Sequence, residues 1–438
     1  MRILLIQPAI EDFYSTPIRF YPLGLLYVAA VLQSRGHQVR ILDSLTPLRK
    51  WERPIPAELA YLRPLFSNNP YLFQHYYRFG VKDVEIVRQA QAWQPDLIGI
   101  SSQFTAYFQQ TAELALALHH QVGCPIILGG HHASAFSAEI MEKLPFLQQV
   151  IVGPAETALF DDAKPRDSRP PEVVDWRSLR PAHELLSAEA YRIGKSNYVS
   201  LHASRGCPFK CDFCSVHHMF GDRISYRTVH SVIEEMRWNY LHKNVRIFNF
   251  EDDNLSWDRN WFLEFLRCVQ TEPLFAHVEL TAMNGLCHAS LDEESLVEMR
   301  RAGFKTLNLS YVTRDEVLQK RYHRPNQQPL VDLLRKAQAL DFFITVYVII
   351  GLPGQTYDEI KESIDELAGL GVLVGPSVFY IPPGSALYSR LQMDDILRSQ
   401  WSLYRSSAFA VETEHLTRGQ LVELFAYARR VNLERRKR

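Results

Sequence analysis

The amino-acid sequence predicts an α/β protein with three parts: a doubly wound parallel sheet, an incomplete parallel barrel of six strand–helix units, and a helical C-terminal extension. Three observations carry this. Short β-branched or Leu-rich runs alternate with segments whose apolar residues recur at helical spacing, the pattern of βαβ units. The alternation runs through two separate series. Between them, AKPRDSRPPEVVDWRSLRP (163–181) is rich in proline and charge, which suits an extended linker.

In the first series the strands are expected at Arg2–Gln7, Val39–Leu42, Leu97–Ser101, Ile126–Leu128 and Val150–Val152. Helical patterns at Leu23–Arg35, Val81–Trp93, Ala106–Gln121 and Ala133–Leu144 fall between them. Pro47–Gly80, rich in Pro, Tyr, Phe and Arg, is too long for an ordinary connection and reads as an insertion with local helix, packed near a ligand or the next domain. Strands of the second series should start near Tyr198, Val245, Ala276, Thr306, Phe343 and Pro376, with helices at Val229–Tyr240, Trp261–Gln270, Glu293–Arg301 and Gln328–Leu340. Six units make a partial barrel, two short of the eight-unit form. Beyond Ser385 a helical extension ends in Glu-Arg-Arg-Lys-Arg, read as a solvated face. The expected domains are 1–160, a linker over 161–192, 193–385, and 386–438.

Among the 438 residues, 48 Lys and Arg face 49 Asp and Glu, and a net charge of −1 disfavours a general polyanion binder, so no nucleic acid is expected. No apolar run reaches the length of a membrane span, and Met1–Gln7 reads as a buried strand, not a signal sequence; the expected compartment is the cytoplasm.

Six cysteines are too few for a disulfide framework, and they are unevenly placed. Cys124, Cys268 and Cys287 stand alone as small hydrophobes, whereas Cys207, Cys211 and Cys214 share one loop after the first barrel strand. Active sites of parallel barrels lie on that face. Thiolates are soft ligands for zinc or iron–sulfur centres, and three of them leave one position unfilled. His217 or His218 could complete a zinc site.

The residues here also resemble a family. CxxxCxxC with Phe213 before the last cysteine and Arg205-Gly206 ahead of the first is similar to the signature of radical S-adenosylmethionine enzymes. The resemblance implies a [4Fe–4S] cluster on the three thiolates, with S-adenosylmethionine chelating the fourth iron and being split, after one-electron reduction, into methionine and a 5′-deoxyadenosyl radical. It assigns contacts to S-adenosylmethionine at Phe213, at Glu251 and Asp252 of the Glu251–Asn254 run, at Asn308 and Ser310, and at Gly351 in Gly-Leu-Pro-Gly-Gln-Thr. Acidic and amide residues such as 251–254 also favour helix caps, and glycines also simply make turns. Arg227 matches a recurrent family position.

Ligands of open parallel sheets bind beyond the strands' carboxyl ends. Three loops lie there, carrying Ser101, Ser102 and Thr105, then Gly129, Gly130 and His131, then Gly153 and Glu156. With Pro22-Leu-Gly-Leu, they resemble the flavodoxin-like cobalamin-binding domain that precedes many radical S-adenosylmethionine barrels. His131 is as consistent with an ordinary loop residue. The DxHxxG motif of many cobalamin proteins is absent: Pro8–Thr16 has no histidine, so the corrin's lower face is expected to meet that loop.

The resemblance implies an enzyme with a [4Fe–4S] cluster, S-adenosylmethionine and cobalamin, methylating a poorly activated carbon of a small-molecule substrate with an external low-potential electron donor. A cyclase, ring-rearranging or oxidative enzyme with the same cofactors is the alternative. A non-catalytic zinc- and cobalamin-binding sensor is the remote one. Substrate contacts are expected from Pro47–Gly80 and from the chain after Ser385.

Overall fold

The computed structural model describes residues 1–17, 21–67, 69–158, 174–324, 330–391 and 395–435. In the N-terminal part the strands are β1 (Arg2–Gln7), β2 (Ile10–Asp12), β3 (Gln38–Asp43), β4 (Lys50–Arg53), β5 (Tyr76–Phe79), β6 (Leu97–Ser101), β7 (Ile126–Gly129) and β8 (Gln149–Val150). A parallel sheet runs β3-β1-β6-β7-β8, so strand order reverses between β1 and β6. β1 is buried along almost its whole length, as a parallel strand covered on both faces should be, and this is why a continuous Ile/Leu run marked it in the sequence.

The insertion contains more than local helix. Beside turns of helix at Ala57–Leu62 and Arg63–Phe66, β4 and β5 form an antiparallel sheet with β2 in the order β2-β5-β4. Leu59, Leu62, Phe66, Phe73 and Tyr76 join the same core as Phe409 and Phe425 of the C-terminal extension, so the insertion does pack on the next domain. The expected Ala133–Leu144 helix is split into His131–Ala135 and Ser137–Lys143, with non-helical backbone at Phe136.

Six parallel strands form the second unit: β10 (Ser196–Leu201), β13 (Val245–Phe250), β14 (Glu279–Thr281), β15 (Thr306–Tyr311), β16 (Phe343–Ile350) and β17 (Leu373–Val378). A short β9 (Arg192–Ile193) flanks β10 antiparallel, and β11 (Ser204–Arg205) pairs antiparallel with β12 (Ser225–Tyr226). The ladder is in two sections, β10-β13-β14 and β15-β16-β17, joined by the single bridges Leu280–Phe304 and Leu286–Leu309. Four of the helices that follow these strands start on capping side chains: Thr228, Asp258, Asp292 and Thr356 each accept a first-turn N–H.

The extension is less helical than expected. The chain passes through short helices at Ala386–Arg390 and Asp395–Ser399 and single turns at Trp401–Leu403 and Ser406–Ala408 before the Arg418–Arg435 helix. That last helix covers the free edge of β17: Asn432 donates to the Val374 carbonyl at 2.7 Å and accepts its N–H at 3.0 Å. Most of the basic terminus lies outside the described residues.

Past Pro181, the last stretch of the expected linker packs against both domains. Ala182, Leu186 and Tyr191 are buried with Ile3 and Leu5 of β1, Leu26 of the Leu23–Ser34 helix and Ile247 of β13. The Tyr191 hydroxyl donates to Asp43 at the end of β3. Burial raises the Asp43 carboxyl from 3.8 to about 6. The stabilisation from the neutral acid is therefore fully present below pH 4 and is lost as pH rises through 6. Between pH 5 and pH 8 the thermal midpoint of Asp43→Asn should fall less than that of the unmodified protein; equal falls would show that Asp43 does not titrate in this way.

Candidate cofactor site at the sheet–barrel interface

The cysteine loop leaves β10 and is pinched at its base by the β11–β12 hairpin. Gly206 has φ +86°, and a Cβ there would sit 2.5 Å from the Arg223 carbonyl oxygen, so only glycine fits. Two acids after β13 hold the base from below. Asp252 accepts the N–H groups of Ala203 and Ser204 and the Ser204 hydroxyl, the last at 2.6 Å, and Asp253 accepts the Gly206 N–H at 3.0 Å. Burial pushes the Asp252 carboxyl up to about 7.

The loop brings the three thiols within electrostatic reach of one another. Cys211 is buried and faces the His323 carbonyl at 3.9 Å and Arg324 Nη1 at 3.8 Å; Asn254 Nδ2 lies 3.7 Å from Cys207 Sγ. Burial raises the Cys207 thiol, and takes Cys214 up to about 12 with the other two sulfurs adding to it. A bound metal must displace those protons. Among the described residues no three His, Cys, Asp or Glu side chains converge at single-ion spacing. A zinc ion would need that, with Zn–S bonds of about 2.3 Å; a cluster spreads its thiolates over separate irons. His217 is already engaged by the Cys207 carbonyl at 3.0 Å and Asp222 at 3.3 Å, and His218 packs over Gly384. The three-thiol loop fits an iron–sulfur cluster better than zinc.

Directly across from this loop, a cavity of about 400 Å³ opens between the carboxyl ends of β1, β6 and β7 and the barrel mouth. That is where strand order reverses. Ser101, Thr105, Gly129, Gly130, His131, Gly153 and Glu156 all line it. The barrel side adds His202, Arg205, His218, Glu251, Asp253 and Tyr380. The cavity continues to an apolar inner end, with Ile3, Leu5, Leu97 and Ile127 of the sheet facing Leu25 and Val28 of the Leu23–Ser34 helix. A Cβ at Gly24 or Gly153 would find nothing within 4 Å, so the backbone there borders open space. A polar mouth with a deep apolar end suits a large ligand that carries a flat apolar tail.

Several expected contacts turn elsewhere. Ser102 is buried below the loop, its N–H bonded to the Gly129 carbonyl. Asp252, expected at S-adenosylmethionine, is spent on loop backbone. Gly351 serves a turn: its N–H meets Gln355, and a Cβ would press on Leu421 at 2.9 Å. Phe213 packs on Tyr322, Asn308 donates to the Ala282 carbonyl, and Ser310 accepts from Arg324; none of the three lines the cavity. The loop after β1 also departs from expectation. Phe13 packs among Phe66, Phe73 and Tyr76, and Asp12 accepts from Tyr107 and Ser407; among the described residues of this stretch, those that line the cavity are Gln7 and Tyr21–Gly24. Arg405 reinforces that lock by donating to the carbonyls of Glu11 and Ala106.

Two residues gain roles that the sequence did not reveal. Arg205 pairs with Glu156 across the domain boundary and lies over the rings of Tyr27 and Trp176 at 4.5 and 4.4 Å. Arg227 is fully buried, pairs with Glu235 and donates to the His202 carbonyl at 3.2 Å, fixing the end of β10. Burial alone would raise Glu235, but Arg227 and His183 hold it below the usual carboxylate range. His183 in turn bonds the Tyr21 hydroxyl at 2.7 Å, linking this network to the sheet domain. Cys287, expected to pack alone, lies within electrostatic reach of Arg324 and Cys211.

Comparison with known proteins agrees with this geometry. Residues 201–367 match the radical SAM superfamily, and residues 56–161 match the B12 binding domain. The chain carries a B12-binding domain followed by a radical S-adenosylmethionine domain. The radical S-adenosylmethionine match runs from the last residue of β10 to the helix before β17 and contains all three loop cysteines; the B12 match contains β6, β7 and β8 with the loops that follow them. Among relatives, cytidylyl-2-hydroxyethylphosphonate methyltransferase of Streptomyces wedmorensis is 26% identical over 92% of this chain and 84% of its own. The anaerobic magnesium-protoporphyrin IX monomethyl ester cyclase of Cereibacter sphaeroides is 22% identical over 84% of this chain and 65% of its own. In fold, the chain resembles the radical S-adenosylmethionine methyltransferase TsrM from Kitasatospora setae, solved with cobalamin and a [4Fe-4S] cluster. That likeness has a TM-score of 0.65 and 16% identity, and covers 88% of this chain and 76% of that one.

Proposed function

We propose that this radical S-adenosylmethionine protein is a cobalamin-dependent methyltransferase acting on an unactivated carbon of a small molecule. The observation that carries the reading is the shared cavity: residues of the B12-binding domain and of the cysteine loop's own helix, Val216–Phe220, line one space, with the His131 and Phe220 rings 5.9 Å apart. When bound, the cluster and S-adenosylmethionine supply a carbon radical that takes a hydrogen atom, and cobalamin supplies the methyl group. The chain's task is to hold the groups in line and keep water out.

Residues 1–160 hold the corrinoid in this reading, 193–385 the cluster and S-adenosylmethionine, and 386–438 brace both. Cys207, Cys211 and Cys214 bind iron, while Asp252 and Asp253 keep their loop in register. Glu251 is oriented by Asn249 at 2.5 Å and Ser200 at 3.3 Å, and offers its carboxylate to a substrate or cofactor ammonium at the barrel mouth. A low-potential electron donor is required from outside the chain. No helix among the described residues is long and apolar enough to cross a membrane, and we place the reaction in the cytoplasm.

Gly24 tests the cavity. In Gly24→Leu the side chain enters open space at the start of a helix, where losing glycine gains up to about 1 kcal/mol. Cobalamin affinity measured by absorbance should fall by roughly tenfold or more, equivalent to about 1.4 kcal/mol, with thermal stability kept. Unchanged affinity would place cobalamin elsewhere.

The cyclase relative keeps a non-methylating reaction as the second reading. The reconstituted enzyme, turning over its substrate, separates the two: methyl transfer yields S-adenosylhomocysteine together with 5′-deoxyadenosine, whereas 5′-deoxyadenosine alone would overturn the methyltransferase assignment.

A further inference from the structure

We propose that Asn254 and Arg324 set the reduction potential of the cluster by donating hydrogen bonds to two of its three thiolates. Asn254 Nδ2 points at Cys207 Sγ (3.7 Å) and Arg324 Nη1 at Cys211 Sγ (3.8 Å), distances suited to bonds to sulfur. Neither donor belongs to the cysteine loop. Asn254 follows β13 and is buried; Arg324 follows the Glu316–Arg321 helix and is anchored at the end of β15 by Ser310, 3.0 Å from Nη2. Each also keeps a buried polar atom without a partner, Oδ1 in Asn254 and Nε in Arg324, a cost that a merely structural contact would not explain. The remaining thiol, Cys214, receives the backbone N–H of Val216.

Reducing the cluster by one electron adds negative charge that the thiolate sulfurs share. An N–H directed at such a sulfur stabilises the reduced form and raises the potential, and a guanidinium adds its full positive charge to that effect. Because both donors are anchored on barrel elements, they stay aimed when the loop takes up iron. They would ease arrival of the electron from an external donor, which is the costly step for a low-potential cluster. Arg324 therefore has the larger influence and Asn254 the smaller, in the same direction.

The inference rests on the cluster assigned above, and the test separates the two. Anaerobically reconstituted holoprotein, without S-adenosylmethionine, is poised at a series of potentials, and the reduced cluster is counted by electron paramagnetic resonance after iron and sulfide have been quantified. At the unmodified protein's midpoint, Arg324→Gln should lower the reduced-to-oxidised ratio by about tenfold, a shift of about 59 mV for one electron. Arg324→Lys, which keeps the charge, should recover part of that ratio, and Asn254→Leu should shift it less than Arg324→Gln. Equal midpoints in iron-replete variants would overturn the proposal. Loss of iron from both Arg324→Gln and Asn254→Leu would also overturn it, by assigning these residues to assembly. An unmodified protein without iron would instead remove the cofactor reading on which the proposal stands.

Discussion

Cys211→Ala is expected to abolish iron binding and the reductive cleavage of S-adenosylmethionine together, while leaving the fold and the cobalamin cavity in place. Cys211 is the most buried of the three loop thiols, held between the His323 carbonyl and the Arg324 guanidinium, and the nearby imidazole of His217 and carboxylate of Asp212 are engaged elsewhere. His217 is already bonded to the Cys207 carbonyl and Asp222, and Asp212 is taken by Arg390 and His323. With two thiolates left, a four-iron cluster loses a protein anchor, and iron should drop from about four per chain to below one. Alanine keeps the Cβ and packs as a small hydrophobe, so the urea midpoint should move little. Cobalamin uptake should persist, because none of the three thiols lines the cavity. Full iron content and continued cleavage in this variant would contradict the site as described.

Arg205→Ala should be among the most damaging changes away from the thiols. Arg205 and Glu156 are 7% and 6% exposed, and the pair is the charged bridge between the cysteine loop's hairpin and the helix after β8. Deleting the arginine strands a buried carboxylate and removes the stacking on Tyr27 and Trp176; losing one partner of a buried pair costs about 3–5 kcal/mol. The double variant Arg205→Met with Glu156→Leu should recover much of that loss, since an apolar pair of similar volume replaces the ions. Urea unfolding of the two single variants and the double variant measures the coupling. Cobalamin affinity should fall in all three, because both side chains line the cavity. Additive effects on stability would show that the residues do not act as a pair.

β1 was legible because it is buried on two faces, which forces the run Ile3-Leu4-Leu5-Ile6; β15 and β16 were legible as β-rich segments that bury every second residue more deeply. β2, β4 and β5 were not: segments such as Ile10-Glu11-Asp12 and Lys50-Trp51-Glu52-Arg53 carry charges on short strands and become strands only by pairing across long loops. Spacing alone located the three cysteines, since ligands within one loop are a local feature. Which way a strand-end residue points is not local. Ser101 lines the cavity and Ser102 does not, because successive side chains leave opposite faces. The same holds for Glu251 at the mouth and Asp252 beneath the loop. The end of the linker was not legible for another reason: the proline- and charge-rich run stops at Pro181, and His183 and Tyr191 beyond it bury against groups supplied by both domains. Arg205 was visible as part of the motif, but its partner lies 49 residues away in the other domain.

The most direct measurement is a crystal structure of the anaerobically reconstituted holoprotein, with diffraction collected across the iron absorption edge. The account predicts an iron signal bonded to Cys207, Cys211 and Cys214 together, and a corrin ring between the β1, β6 and β7 ends and the Val216–Phe220 helix. A single zinc ion on those sulfurs, or a corrin bound outside this cavity, would contradict it.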